Sequence, residues 1–202
     1  MLLECRLPWI SRAYHMALPR LLAAVAASAL LAAGPVLADA LGDIRTQFER
    51  GDLAGALDAA DRQLAAEPGN ARVRFLKALI LADQGKPDAA IEVLTALTED
   101  YPELPEPYNN LAVLHAAQGR YESARIALES ALRAHPGYAT AHENLGDVHA
   151  RLALAEYEKA LALDGKNATT GEKLALMRSL LGKQAVLGPA ADPTLETPTL
   201  PR

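Results

Sequence analysis

The chain has 202 residues, of which 50% are apolar, 22% charged and 4% aromatic, and its formal net charge at pH 7 is −5. This composition can supply a packed core and excludes wholesale disorder. The acidic net charge and the scarcity of aromatic side chains disfavour a nucleic-acid partner, which needs basic surface and often stacking platforms.

Residues 1–38 have the parts of a secretory signal peptide. Arg12 and Arg20 precede an uncharged run, 21–38, that is rich in Leu, Ala and Val and ends in small residues suited to a signal peptidase. We expect cleavage after Ala38, or else after Ala40, and Met16 offers an alternative start of translation. An uncleaved anchor is the other interpretation, because an uncharged run of this length just reaches membrane-spanning length.

Removal of this leader changes what chemistry the chain can carry. Cys5 is the only cysteine, so the mature chain would hold no disulfide, thiol nucleophile or zinc thiolate. It would lose Arg6, Arg12, Arg20 and Glu4 and keep 17 basic and 24 acidic residues, a net charge of about −7 that disfavours anionic lipid and nucleic acid. The leader predicts a periplasmic protein, with the membrane as a partner only if the leader stays uncleaved.

A 34-residue repeat follows the leader. Gly51, Gly85 and Gly119 keep this period, and each is followed at one constant interval by a proline, with an alanine in register between them: Ala56, Ala90 and Ala124, then Pro68, Pro102 and Pro136. Glycine suits the left-handed end of a first helix, and proline ends a second helix. The period therefore predicts stacked helix–turn–helix units, each of which needs a neighbour to bury its apolar face.

These units resemble the tetratricopeptide repeat family. The third unit, residues 105–138, carries the family's signature residues at Tyr108, Leu111, Ala112, Gly119, Tyr121, Ala124, Leu128, Ala131 and Pro136. The resemblance covers residues 39–182 and implies an all-α, right-handed helical-repeat solenoid of about three and a half units with a C-terminal capping helix. It also implies that small residues at Ala78, Ala112 and Gly146 let the two helices of a unit approach closely.

The fourth unit departs from the repeat. It is about five residues short of the usual unit, and no Gly or Pro occurs between Asp147 and Asp164 to make a turn. We therefore expect one continuous helix of about 25 residues from Ala139 to Leu163, near 37 Å long. Asn167 is expected to cap a last helix that Gly182 ends, and residues 183–202, which contain four prolines, to form a disordered tail.

The resemblance also implies a binding surface, because ligands of this family usually lie on the concave face of the first helices. The positions that point there include Phe75, Leu79, Asn109, Asn110, Val113, Glu143, Asn144 and Asp147. Asn110 and Asn144 are equivalent residues in successive units. Either they are exposed and pair with the backbone of an extended peptide, so that their replacement costs little stability, or they help the helices pack and cap.

The histidines are the candidate residues for metal binding. His115 and His149 are equivalent in successive units, and His142 precedes His149 by one heptad. They either converge on zinc or copper or replace a tyrosine that packs between helices. The sequence contains no phosphate-binding glycine loop, nucleophile elbow or metalloprotease motif. We expect no enzyme activity and no cofactor.

The sequence thus predicts a periplasmic adaptor or scaffold that binds a protein or peptide in its groove. Two alternatives stay open. One is a membrane-tethered assembly subunit with an uncleaved leader, and the other is a small histidine-based metal-binding protein.

Overall fold

The computed structural model describes residues 40–182, which form eight α-helices. The chain divides into Met1–Asp43 and Ile44–Arg202. Of the first unit only residues 40–43, the start of α1, are described, and the expected signal peptide and C-terminal tail lie outside the described residues. The helices are α1 Ala40–Glu49, α2 Leu53–Ala66, α3 Ala71–Asp83, α4 Pro87–Asp100, α5 Pro105–Ala117, α6 Tyr121–Ala134, α7 Ala139–Leu163 and α8 Ala168–Leu181.

The first helix of each of the first three units ends in the same glycine cap. Gly51, Gly85 and Gly119 have φ of 77°, 72° and 73°, a left-handed conformation that side chains resist. Each glycine N–H donates to the carbonyl three positions back at 2.9 Å, and the following N–H reaches five positions back at 2.9–3.0 Å. This is the Schellman arrangement, which satisfies the last carbonyls of the helix. The 34-residue glycine period is therefore a period of identical helix ends.

The turns between units are equally regular. At Glu67, Tyr101 and His135 the backbone N–H still donates to the carbonyl four positions back, at 2.8–2.9 Å. The proline that follows each of them cannot continue the ladder, and the residue before a proline is held out of the helical region. The next first helix begins shortly after that proline. Asn70 caps α3, where its side chain accepts from the Val73 N–H at 3.2 Å.

Alanines and leucines fill the space between the helices. The repeat alanines Ala56, Ala90 and Ala124 are all 0% exposed, and a cluster of buried side chains extends from Ala78 and Leu94 through α5 and α6 to the start of α7. Leu128, also 0% exposed, lies in this cluster. Small side chains allow close helix approach, so a core can form with few aromatic residues. The described residues form an all-α helical-repeat solenoid.

The fourth unit contains one uninterrupted helix, as predicted. α7 runs from Ala139 to Leu163, 25 residues, and Asp164 is its C-cap. α8 packs along α7, with Asn167 as its cap accepting from the Thr170 N–H at 3.0 Å. None of the eight described helices combines the length and the apolar character needed to cross a membrane.

One expectation about this unit is wrong. Ala78 and Ala112 are 1% and 0% exposed and lie where two helices of a unit meet, but Gly146 is exposed. Outside its own helical backbone, a Cβ built on Gly146 would find no atom of the described residues within 4 Å. The reason is that the fused helix leaves no antiparallel second helix to approach Gly146.

Candidate functional site

The residues expected to contact a partner lie on the first helices of three successive units. We call this set the first-helix face: Phe75 and Leu79 on α3, Asn109, Asn110 and Val113 on α5, and Glu143, Asn144 and Asp147 on α7. The helix ends described above set their register, since the first residues of α3, α5 and α7 keep the 34-residue period.

The three asparagines of this face are buried. Asn109 and Asn144 are each 0% exposed and Asn110 is 2% exposed, so the expectation that Asn110 and Asn144 are exposed is wrong. The physical reason is that α5 packs against α4, α6 and α7 and has little free surface. Asn144 and Asn110 do not pair with each other. Asn144 Nδ2 donates to Asn109 Oδ1 at 2.9 Å, whereas Asn110 Nδ2 donates to the Glu106 carbonyl at 2.9 Å.

The Asn109–Asn144 hydrogen bond joins the first helices of two units. It leaves Asn109 Nδ2 and Asn144 Oδ1 buried without a hydrogen-bond partner among residues 40–182. A hydrogen bond in a low-dielectric interior is strengthened, while an unpaired group there is costly. The pair therefore fixes how α5 and α7 sit together and keeps one donor and one acceptor unused beneath the first-helix face.

The accessible part of the first-helix face differs from one helix to the next. Phe75 and Val113 are half-buried, Leu79 is 7% exposed, and on α7 Asp147 is half-buried and Glu143 exposed. The accessible side chains of this face are thus apolar on α3 and α5 and acidic on α7.

Two exposed apolar residues on a further helix were not predicted from the sequence. Leu176 and Leu180 on α8 are 65% and 48% exposed. With Asn167 as the cap, Leu176 occupies the position in α8 that Asp147 occupies in α7. The turn at Asp164 could have identified these two leucines. Its N–H donates to the Ala160 carbonyl at 2.9 Å, and the His135 N–H makes the same bond to the Ala131 carbonyl in the turn before α7. That turn sets the register of α8 even though the unit before it is shortened.

The histidines do not converge. His115 is half-buried and its pKa is lowered, first by burial and then by the nearby charge of Arg120. His142 and His149 are exposed, and His142 Nε2 lies 3.0 Å from the Pro136 carbonyl oxygen. Within residues 40–182, no three His, Asp or Glu side chains are grouped so as to hold a metal ion.

Tyr138 has a strongly shifted pKa at the start of α7. Burial, with a smaller contribution from the Glu106 carboxylate, raises its pKa to about 12. In the part of the chain that the structure describes, its buried hydroxyl has no hydrogen-bond partner. Because loss of water is the first cause of the shift, the shift reflects packing in this region and does not by itself indicate catalysis.

The tetratricopeptide repeat family profile matches the chain twice, over residues 47–114 and 81–145. The starts of the two matches reproduce the 34-residue period of the glycine caps. The chain belongs to the tetratricopeptide repeat family. The residues matched include every helix from α2 to α6 and reach into the first part of α7.

Solved structures of tetratricopeptide type resemble this chain in fold. A crystal structure of MamA is 24% identical, with 68% of this chain and 83% of that chain covered and a TM-score of 0.51. A second MamA structure is 22% identical, with 72% and 84% covered and a TM-score of 0.52. A tetratricopeptide repeat protein from Parabacteroides merdae is 18% identical, with 78% and 64% covered and a TM-score of 0.54. No curated protein matches the chain.

Proposed function

We propose that this tetratricopeptide repeat chain is an interaction scaffold that binds an extended segment of a partner protein along the first-helix face. Tetratricopeptide repeats generally serve as scaffolds for protein interaction and not as enzymes. The observation that carries the proposal for this chain is the accessible part of the face, which is apolar at Phe75 and Val113 on α3 and α5 and acidic at Glu143 and Asp147 on α7.

The chemistry of this face specifies the kind of segment it would take. An apolar side chain of the segment would contact Phe75 and Val113, and a Lys or Arg would lie against Glu143 and Asp147. The segment's backbone would run above the buried Asn109–Asn144 pair and would contact the accessible side chains of α3, α5 and α7. The proposed ligand is therefore an extended basic-apolar segment.

Charge reversal on α7 tests this proposal. We expect wild-type protein to retain immobilised extended peptides with an apolar centre and flanking lysines better than the same peptides with flanking glutamates. The double variant Glu143→Lys/Asp147→Lys should invert that preference by a few-fold, because an exposed ion pair contributes about 0.2–1 kcal/mol. The measurement is bound fraction across a peptide array at low ionic strength.

A matched control separates local from global charge. Asp58 and Glu92 are exposed acids on the second helices α2 and α4. The variant Asp58→Lys/Glu92→Lys changes the net charge by the same amount and should keep the wild-type preference. If both double variants shift the preference equally, the binding is nonspecific and the first-helix face is not the site.

We further propose that the scaffold works in the periplasm, on the evidence of the leader in residues 1–38. N-terminal sequencing of protein recovered from the cell envelope should find a start at Asp39 or Leu41, in the soluble fraction. A start at Met1 or Met16 in the membrane pellet would instead establish the membrane-tethered alternative.

A further inference from the structure

The fourth unit, which contains the fused helix α7, lacks a short segment that can be identified by comparison with the third unit. The turns at Tyr101 and His135 keep the 34-residue period, whereas the equivalent turn at Asp164 comes about five residues too early. In this register Arg151 corresponds to Ala117 and Leu152 to Ser123. The missing residues are therefore the counterparts of residues 118–122, which make the glycine turn and begin the second helix of the third unit.

The loss of this turn leaves one surface of α7 uncovered. We call His142, Gly146 and His149 the open stripe, and all three are exposed. Their counterparts on α5 are Tyr108, Ala112 and His115, of which Ala112 is 0% exposed and the other two half-buried. On α3 the counterpart of Gly146 is Ala78, 1% exposed. The open stripe is thus the place where a second helix packs in the regular units.

The second half of α7, residues 152–163, keeps the residues of a second helix. Ala153, Tyr157 and Ala160 stand where α6 has Ala124, Leu128 and Ala131, which are all 0% exposed. In α7 the same positions are much less covered, since Ala160 is exposed and Ala153 and Tyr157 are half-buried. The chain therefore carries the two surfaces that pack together in a regular unit, the open stripe and the second half of α7, but they do not contact each other within α7.

The two halves cannot meet within one chain. Gly146 and Ala153 lie on one helix, about 10.5 Å apart at 1.5 Å per residue. No Gly or Pro between Asp147 and Asp164 gives that helix a hinge. A second copy of the chain offers the matching half in the right register, and one two-fold axis would complete both contacts at once.

We propose that two copies of this chain exchange residues 152–181. In the exchanged dimer the second half of α7 and the helix α8 of each copy pack on the open stripe of the other. Each fourth unit is then completed by residues from the second copy, as it would be by its own chain if the turn were present. Deleting a turn is a known physical route to such exchange, because it forbids the closed monomer while keeping the contact.

The exchange would also extend the first-helix face. α8 of the second copy would follow α7 as the next first helix. Its Leu176 would continue the row that contains Leu79, Val113 and Asp147, and Leu180 would lie one turn further along α8. These leucines are exposed in the single chain. This consequence rests on the proposed binding function, whereas the exchange of segments does not.

Restoring the missing turn tests the proposal directly. We would insert Gln-Gly-Arg-Tyr-Glu, the chain's own residues 118–122, between Arg151 and Leu152. Wild-type protein should be a dimer and the insertion variant a monomer, by light scattering coupled to size exclusion across a dilution series. A wild-type chain that is monomeric throughout, or an insertion variant that is as dimeric as wild type, would overturn the proposal.

A second pair of variants guards against an insertion that fails to fold. Gly146→Leu fits the single chain, because the space around Gly146 is open, but it would clash with a helix packed on the open stripe. We expect this variant to be monomeric with unchanged helical circular dichroism. Ala162→Leu adds the same kind of bulk at another exposed position of α7, one that corresponds to the exposed Arg133, and should stay dimeric. Equal dimerisation of the two variants would contradict the exchange.

A cysteine trap distinguishes exchange from another kind of dimer. In a Cys5→Ser background, one chain would carry Gly146→Cys and the other Ala153→Cys, and the two would be unfolded and refolded together. Their counterparts Ala112 and Ala124 are buried in one cluster, on the two helices of the third unit that pack together. Oxidation should link the two different chains in preference to like chains. Absence of the mixed disulfide would show that the dimer forms elsewhere.

Discussion

Asn109 and Asn144 are the clearest case of a polar pair used inside an otherwise alanine and leucine core. Each side chain is 0% exposed, and the hydrogen bond between them at 2.9 Å crosses from one repeat unit to the next. A buried amide that has lost its hydrogen-bond partner retains its full desolvation penalty. The pair is therefore expected to stabilise one arrangement of α5 and α7 over alternatives.

The coupling of this pair is measurable. We expect Asn109→Ala and Asn144→Ala each to lower the free energy of unfolding by about 1–3 kcal/mol, because each leaves a buried amide alone. The double variant should cost less than the sum of the two, as residues in direct contact do not add. Asn110→Ala, which removes only a hydrogen bond to its own helix, is the control and should add independently of Asn144→Ala. Additive costs at Asn109 and Asn144 in urea titrations would disprove the coupling.

His115 makes stability depend on pH. Burial and the charge of Arg120 lower its pKa in the folded chain below the unfolded value of about 6.5. Below that unfolded pKa the unfolded chain binds a proton that the folded chain resists, so the free energy of unfolding falls until the lowered folded pKa is passed. Above the unfolded pKa, where the imidazole is neutral in both states, this contribution to stability is fully present.

Replacing His115 should remove that contribution to the pH dependence. His115→Leu places at this position the residue that the second unit has at Leu81, 7% exposed. We expect its free energy of unfolding to change less between neutral and mildly acidic pH than that of wild type. The control His135→Gln alters an exposed histidine and should retain the wild-type pH profile. Identical profiles for all three proteins would contradict the assignment to His115.

At the scale of the helix, the glycines of this chain have two different uses. Gly119 caps the end of α5 with φ of 73°, and a Cβ built there meets no described atom within 4 Å, so only its backbone conformation requires glycine. Gly146 lies inside α7, where a Cβ also meets nothing but the backbone is helical. The same substitution should therefore act in opposite directions at the two sites.

We expect Gly119→Ala to lower the free energy of unfolding by about 1–2 kcal/mol, the cost of a left-handed conformation for a residue with a Cβ. Gly146→Ala should raise it by about 0.5–1 kcal/mol, because alanine loses less conformational entropy in a helix. Alanine is also the residue at the equivalent Ala78 and Ala112, so the change is compatible with a helix packed there. Thermal and urea unfolding measure both values, and a stabilising Gly119→Ala would refute the capping role.

At the scale of the whole molecule, a repeat architecture makes the position of a buried residue in the array matter as much as its burial. Leu128 at 0% exposure lies in the buried cluster that extends from α3 to the start of α7, while Ile44 at 1% exposure lies in α1, the first described helix. In a repeat array each unit is stabilised by its neighbours, and terminal units open at lower free energy than central ones.

Truncation at these two residues should separate global from local unfolding. Leu128→Ala is expected to lower the free energy of the main unfolding transition by about 2–5 kcal/mol. Ile44→Ala removes a side chain of the same size but should mainly speed hydrogen exchange in α1, with a smaller shift of the main transition. Equal shifts of the main transition would show that the described helices unfold as a single cooperative body.

The features that could be predicted from the sequence are those that depend on local backbone chemistry. The period of Gly51, Gly85 and Gly119 predicted three left-handed caps, because few residues other than glycine accept that conformation. The absence of Gly and Pro after Asp147 predicted the fused α7, since nothing there can interrupt the helical hydrogen-bond ladder. The signal peptide and the periplasmic location stay predictions.

The state of the first-helix face was decided only by the tertiary structure. The resemblance to the tetratricopeptide repeat family indicated which positions of a unit belong to that face, and the 34-residue period placed equivalent residues on successive first helices. The sequence by itself could not determine how much of the face neighbouring helices cover, so Asn109, Asn110 and Asn144 proved buried and Gly146 exposed. Coverage depends on the distances between helices from different units, which arise from packing of side chains far apart in the chain. Local chemistry therefore set the helices and their ends, and long-range packing set which side chains remain available to a partner.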